Sequence, residues 1–454
     1  PATSFPTGLS MASSWNTELV EKIGAAIGEE ARAVECDAIL GPCVNIVRHP
    51  ITGRNFECLS EDPYLAGKIA AAFIRGVQSQ NIGATIKHFA CNNQEHERSR
   101  GSSVVDERTL REIYLTAFEI AVKEAKPWML MAAYNKVNGV YACENKQLLN
   151  EILREEWGFE GVVVSDWWAA QSTVNSIKSG LDLEMPGPGR HYKGLPEAVA
   201  NWQIDEELVD RSAGRVLKMI LKSGRMTLNE EQSKGALNTP EHQKLAKELA
   251  LESIILFKNN NNILPLDINK VKSIAVIGLN AEEAQIGGGG SGDVRPPYGI
   301  SPLEALESRL QNLVLLQYDE GCNNYTEPPA IKSKYLTPSK GEGKGLWGAY
   351  YNNTDFSGMP SVERLDERLN FWWGSSYPCV GIESNEFSVR WTGKISIPRA
   401  ASYVFKLEQV GTTKIYMDGN LVFESKRNKD NEKSIAIIES KTVELTGPRE
   451  YEIR

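Results

Sequence analysis

The stretch Gly161-Val162-Val163-Val164-Ser165-Asp166-Trp167-Trp168 constrains this chain more than any other. Three consecutive valines suit a strand buried on both faces. An abrupt Ser-Asp follows. A carboxylate at the end of a buried parallel strand is costly unless it has a partner or a task. In barrels of parallel strands, chemistry gathers at the carboxyl ends of the strands. Two tryptophans come next, and flat aromatic faces suit the apolar side of a sugar ring. On this stretch alone, two readings of Asp166 stand level: a reacting carboxylate, or the cap of a helix starting at Ala169-Ala170.

The surrounding sequence alternates between two periods. Leu19, Ile23, Ile27 and Val34 recur at helical spacing over 16–35, with Asn16 or Thr17 as cap. A strand is expected at Ala38–Leu40, before Gly41-Pro42-Cys43. A helix follows from Asp62-Pro63 to about Gln80, with proline in its first turn. Strand Ala84-Thr85-Ile86 runs into Lys87-His88. Helix Glu107–Ala125 stops before Pro127, and strand Met129–Ala133 leads to Tyr134-Asn135. Helix Lys146–Trp157 closes at Gly158. After Asp166 the pattern predicts a helix over 170–179 and a strand at Leu181–Met185. Such alternation implies a parallel sheet with right-handed crossovers. The fold class is therefore α/β, with residues 1–225 as a (β/α)8-type barrel of which five strands are visible. The missing strands are expected before Pro1, because Pro1–Pro6 reads like the middle of a loop and the N-terminus like a cut or processed one.

Residues 226–242 are polar and read as a linker. Helix 241–257, strand 273–279, helix 302–310 and strand 313–317 then open a second α/β region, the first part of an α/β sandwich domain over 243–335. Gly287–Gly292 formally matches G-x-G-x-x-G. Seven residues separate it from the preceding strand, however, and Asp293-Val294-Arg295-Pro296-Pro297 cannot open a helix, so a dinucleotide site is rejected. Lys332–Gly345 reads as another linker. From 345 to 454 apolar and polar residues alternate, as at Phe387, Val389 and Trp391, and Asp418-Gly419-Asn420 marks a hairpin. This is an antiparallel β-sandwich. Its aromatics, Trp347, Tyr350, Tyr351, Phe371, Trp372 and Trp373, are assigned to its core. Because the second α/β region stops near Glu320, the sandwich is expected to be inserted into it, with the remainder beyond Arg454.

The composition narrows the function classes. A net charge of −9 and a pI near 5.4 argue against nucleic-acid and anionic-membrane partners. No apolar run approaches the ~20 residues that span a bilayer, and no signal-peptide pattern is visible. Seven scattered cysteines include no C-x-x-C. His88, Cys91 and His96 fit no standard metal spacing, so no metal and no cofactor are expected. Asn324-Tyr325-Thr326 and Asn352-Asn353-Thr354 are glycosylation acceptors, and an extracellular setting is slightly favoured over a cytoplasmic one. The sequence is compatible with a homo-oligomer.

Polar groups cluster where the predicted strands end. Arg54-Asn55-Phe56-Glu57 follows the first, and Lys87-His88, Tyr134 and Asp166 follow three others. Side chains at one end of a parallel sheet converge in space. Two cations beside one anion would favour the charged carboxylate, the form a nucleophile needs. For any one of these residues, an ion-pair network that holds loops together is the alternative.

Gly53-Arg54-Asn55-Phe56-Glu57, Ser60-Glu61-Asp62-Pro63-Tyr64-Leu65, Lys87-His88-Phe89, Met131 with Tyr134-Asn135-Lys136-Val137-Asn138-Gly139, Ser165-Asp166-Trp167 and Gly180-Leu181-Asp182 together resemble glycoside hydrolase family 3. The similarity is to its β-glucosidases with an inserted protective-antigen-type β-sandwich, and it runs nearly end to end. It implies a retaining glycosidase acting on a small-molecule carbohydrate, with Asp166 as nucleophile. It implies that Arg54, Lys87 and His88 bond the sugar's hydroxyls. It implies that Met131, Tyr134 and Trp167 line the subsite and that Ser291 reaches it from the second domain. Two family parts are absent: an aspartate for the outer hydroxyls, expected before Pro1, and a glutamate acid/base, expected beyond Arg454. Glu57 and Glu95 are not assigned that role. A β-xylosidase of the same family and a catalytically silent carbohydrate-binding protein remain as alternatives.

Overall fold

Asn16 caps the first long helix, α1 (Thr17–Ala33), by accepting from the Leu19 amide. Asp62 does the same for α2 (Pro63–Gln78) at the Leu65 amide, with Pro63 in the first turn, where its missing N–H costs nothing. These helices pack so closely that a β-carbon on Gly76 would lie 2.0 Å from the Glu21 carbonyl oxygen, and one on Gly24 2.4 Å from that of Phe73. The computed structural model describes residues 2–226, 234–311, 313–322, 329–371, 373, 377–425 and 437–454. Part of the expected 226–242 linker, the acceptor Asn324-Tyr325-Thr326 and Trp372 lie outside the described residues.

The chain divides into two units, Pro1–Cys322 and Asn323–Arg454. In the first, strands β1 (Ala38–Ile39), β2 (Gly83–Phe89), β3 (Met129–Ala132) and β4 (Val162–Ser165) form a parallel sheet in that order. Leu130 pairs with Val163, and Ala132 with Ser165. Alternate residues separate onto two faces. Ile86, Leu130, Ala132 and Val163 join the core built with α1 and α2, whereas Met129, Met131, Val162 and Val164 pack with Trp167, Leu183 and Met185. Both faces are covered, which is why these strands read as unbroken apolar runs.

Several expected elements differ in detail, among them the helix expected over Lys146–Trp157, which is a π-helix over Gln147–Glu156. The helix expected over Glu107–Ala125 contains a π turn at Leu110–Tyr114, where Leu115 N–H reaches back to Leu110. The helix expected over 170–179 shrinks to Val174–Lys178. Ser172 bonds Glu144 and Thr173 donates to the His191 carbonyl, so both side chains are tied to other segments. The strand expected at Leu181–Met185 joins the sheet through one parallel bridge, Val164 to Leu183.

Asp182 fastens that segment. Its side chain is 0% exposed and meets Arg154 at 2.6 Å and Arg215 at 2.7 Å. It also accepts from the Val163 amide at 2.8 Å and the Ser212 hydroxyl at 3.0 Å. Farther along, strands Ser273–Ile277 and Leu315–Asp319 pair in parallel, with Ile277 and Leu315 exposed.

The second unit is antiparallel throughout its described pairings. Its larger sheet runs Val362–Asp366, Leu346–Tyr351, Ser388–Ile397, Arg449–Ile453, Thr413–Met417, Asn420–Ser425, with Leu336–Pro338 also on Ser388–Ile397. Ala401–Gln409 and Ile437–Leu445 form a second sheet. Tyr403, Phe405 and Leu445 from this pair pack in one core with Leu336, Ile395 and Tyr451. Asp418 and Gly419 turn the hairpin with φ of 47° and 78°, as a two-residue turn matched to strand twist demands. Tyr350 and Tyr351 are buried, while Trp347, Phe371 and Trp373 are half-buried.

Removing Asp182 would strand two arginines, of which Arg154 has a side chain only 10% exposed. Asp182→Ala is expected to lower stability by about 3–5 kcal/mol, the usual loss when one partner of a buried ion pair is deleted. Urea unfolding followed by circular dichroism measures it, and a change under about 1 kcal/mol would show that the network is not structural.

Candidate active site

Lys87 and His88 lie in β2 just before its last residue, Phe89, and His88 is 2% exposed. Asn45 registers it. Its side-chain oxygen accepts from the His88 amide at 3.0 Å and faces Nδ1 at 3.0 Å, while its own amide donates to the His88 carbonyl at 2.8 Å. With an acceptor at Nδ1, the ring proton sits there and Nε2 is left to accept. Arg54 Nη2 lies 3.2 Å from Nε2.

Arg54 is clamped by Glu57 through two parallel bonds, from Nε at 3.0 Å and Nη2 at 2.9 Å. Glu95 stands 3.7 Å from Nη1. Lys87 Nζ is 3.5 Å from the same Glu57. Burial opposes the charge on Arg54, but the Glu57 hydrogen bonds, with the charges of Glu57 and Glu95, outweigh it and raise its pKa. Burial likewise opposes the Glu57 carboxylate, and it is outweighed by Arg54 and Lys87, which hold Glu57 below the ordinary carboxylate value.

This corrects one expectation. The two cations of the rim pair with Glu57, not with Asp166. Asp166, 8% exposed, follows β4 directly. Its Oδ1 accepts from the Trp167 amide at 2.7 Å, and its Oδ2 lies 3.6 Å from His88 Nε2. Tyr134 is also its neighbour. Burial, then the Asp166 charge, push the Tyr134 hydroxyl up to about 12, so it stays protonated at neutral pH. No helix starts at Ala169-Ala170: the next begins at Val174. Asp166 is therefore not an N-cap.

Met131 is 2% exposed and packs in the apolar cluster that Trp167 borders. It is floor rather than wall. Ser291 is exposed in the glycine loop and, among the described residues, makes none of these contacts. The loop itself does reach the neighbourhood: a β-carbon on Gly288 would lie 2.4 Å from the Phe56 ring, next to Glu57. Two contributors escape a reading of the sequence. Asn45 hides between Val44 and Ile46. Arg98 joins Glu95 at 2.6 Å and lies 4.6 Å from the Tyr134 ring centroid, but it sits in a polar stretch where nothing distinguishes it.

The Glu57 clamp implies a pH signature. A carboxylate held below its unfolded value contributes stability above that value, near 4.5, and loses it as pH falls through the folded one. The stability gap between the native chain and Glu57→Gln should be full at about pH 6–7 and close as pH drops below about 4.5. Urea midpoints across that range test it; a gap that widens toward acid would contradict the clamp.

Comparison with known proteins shows what the chain is similar to. The glycosyl hydrolase family 3 N terminal domain matches residues 1–219, and the PA14 domain matches 343–454. A β-glucosidase from Rhizobium radiobacter is 40% identical over 420 residues, 92% of this chain and 50% of the relative. Thermostable β-glucosidase B from Acetivibrio thermocellus is 45% identical over 322 residues, 71% of this chain and 42% of its own length. The crystal structure of a β-glucosidase from Kluyveromyces marxianus in complex with glucose superposes with a TM-score of 0.84 at 34% identity, covering 99% of this chain and 55% of that one. The chain thus spans about half the length of the relatives it matches. It belongs to glycoside hydrolase family 3, carrying that family's N-terminal domain together with a PA14 domain.

Proposed function

We propose that the whole protein is a retaining β-glucosidase, releasing terminal non-reducing β-D-glucosyl residues from small glucosides and oligosaccharides, with Asp166 as nucleophile. One observation carries this reading: a nearly buried carboxylate at the end of a parallel strand, facing His88, that caps no helix. The names of the relatives and the glucose in the Kluyveromyces marxianus enzyme support the substrate class.

In this reading Asp166 attacks the anomeric carbon and forms an α-linked glycosyl-enzyme, which water then hydrolyses. Splitting one hard displacement into two lowers the barrier. Tyr134 neighbours Asp166 and orients the attacking oxygen. Arg54, Lys87 and His88 hold sugar hydroxyls, and Trp167 stacks on the ring above Met131. Ser291 approaches on the loop that lies against Phe56. Retention needs a second carboxyl about 5–5.5 Å away that starts protonated. Glu57 is kept ionised by Arg54 and Lys87, and Glu95 is paired with Arg98 and Arg54. We assign the acid/base to another part of the whole protein.

The architecture completes the proposal. The parallel sheet and its covered faces support a (β/α)8 barrel over 1–225. The exposed apolar residues of the 273–277 and 315–319 strands support an α/β sandwich domain begun at 243–335 and completed by further strands. The antiparallel unit fits an inserted β-sandwich over 345–454.

The test is stereochemical. In the full-length protein, Asp166→Gly should cut turnover of an activated aryl β-glucoside by at least about 10³-fold. Azide fits the void on the α face and should partly restore turnover, giving α-glucosyl azide by a single inversion. Removing the acid/base instead leaves Asp166 to invert first, so azide then gives the β-product. Near-normal activity of Asp166→Gly, or β-azide alone, would show that Asp166 is not the nucleophile.

A further inference from the structure

Cys43 and Cys58 lie on two extended segments that meet in a parallel bridge, one opposite the other. Neighbouring strands run about 4.7–4.9 Å apart, inside the roughly 4.4–6.8 Å between α-carbons that a disulfide needs. The two sulfurs are 3.2 Å apart and both thiols are free. At 5% and 8% exposure they are nearly buried, yet both line the cavity that also holds Arg54 and His88. Cys43 Sγ is 3.6 Å from Asn45 Oδ1 and 3.7 Å from His88 Nδ1, so it touches the pair that registers the histidine.

The two sulfurs are not equivalent. A hydrogen bond from Cys58, working against burial and helped by His88 and Lys87, draws the Cys43 thiol well below its ordinary value, while Cys58 is pushed up by the same contact and by burial. By contrast, burial pushes the Cys91 thiol up to about 12. A more readily ionised sulfur in contact with a second thiol is the arrangement that reacts reversibly with oxidants.

We propose that Cys43 and Cys58 are a reversible redox pair in the wall of the site: a hydroperoxide closes them to a disulfide, a dithiol reopens them, and the closed form disturbs His88. The Cys43 thiolate attacks the outer oxygen of the hydroperoxide. The O–O bond breaks, the alcohol leaves with a proton, and Cys43 becomes a sulfenic acid. Cys58 sulfur then attacks Cys43 sulfur, the S–O bond breaks, and hydroxide departs with the Cys58 proton as water. Two thiols and one hydroperoxide thus yield one disulfide, one alcohol and one water. Closure draws the Cys43 sulfur toward Cys58 and away from Asn45 and His88. Disulfide formation is independent of the glycosidase reading; the effect on turnover rests on it.

Trypsin cuts after Arg48 and Arg54, between the two cysteines, so the disulfide would appear as a cross-linked peptide pair. Cys36 shares the Cys43 peptide, so the full chain is used as Cys36→Ser. After hydrogen peroxide, mass spectrometry should find the Cys43–Cys58 pair two hydrogens lighter, and dithiothreitol should abolish it. Its absence, or over-oxidation of Cys43 without a cross-link, overturns the proposal. In the full-length enzyme, peroxide should lower kcat/KM by about tenfold or more, since small displacements in a site cost that much, and dithiothreitol should restore it. Cys43→Ser, which has no sulfur to form the sulfenic acid, measured against its own untreated activity, should show no reversible loss. A disulfide that forms without changing kcat/KM overturns the coupling to His88 and leaves only the modification.

Discussion

The carboxylate of Glu57 sets the charge balance of the whole rim. It takes Arg54 through two parallel bonds, which fix the plane of the guanidinium as well as its distance. Lys87 leans on the same anion. Without Glu57, two cations would face each other in a half-buried cleft. With it, Arg54 is aimed at His88 Nε2 while Asn45 grips the opposite side of the ring. The histidine is thus held from both nitrogens before any ligand arrives. Preorganisation of this kind avoids reordering at the moment of binding. It also leaves Asp166 without a cation of its own, so its oxygens are approached by a backbone amide, a phenol and an imidazole rather than by a neutralising arginine.

Much of this was legible in the residues, and what was not has physical causes. Val162–Val164 and Met129–Ala132 read as strands because both their faces are covered, so every position is apolar. His88, Tyr134 and Asp166 stood out because each breaks such a run or closely follows it. Asn45 did not, because one buried polar residue between Val44 and Ile46 has the same local pattern whether it holds a histidine or a turn. The pairing of Lys87 with Glu57 was equally hidden: sequence says that cations and anions share a rim but not which meet. The 170–179 helix failed because Ser172 and Thr173 find partners elsewhere, a competition that local propensity cannot register. The π turn at Leu110–Tyr114 keeps nearly the same apolar spacing as an α-helix, so periodicity cannot separate them.

Asp182 and Asp166 show what turns a buried carboxylate into a candidate for chemistry. Both lie at one edge of the same sheet, Asp166 just after β4 and Asp182 beside the Leu183 bridge, and both are largely buried. A carboxylate offers about four acceptor sites. Asp182 fills all four, with Arg154 and the Val163 amide on one oxygen and Arg215 and the Ser212 hydroxyl on the other. Such a group is locked, and any movement would unpair two arginines. Asp166 receives one amide, with the Tyr134 phenol as a neighbour and His88 Nε2 at 3.6 Å, beyond a hydrogen bond. Among the described residues its Oδ2 has no close protein donor, yet the side chain keeps 12% exposure, so that oxygen is open toward the rim, and the surrounding sheet holds it in place. That sheet is covered on both faces and fastened at its edge by the saturated Asp182. One aspartate is spent on holding the sheet's edge, and the other keeps an oxygen open.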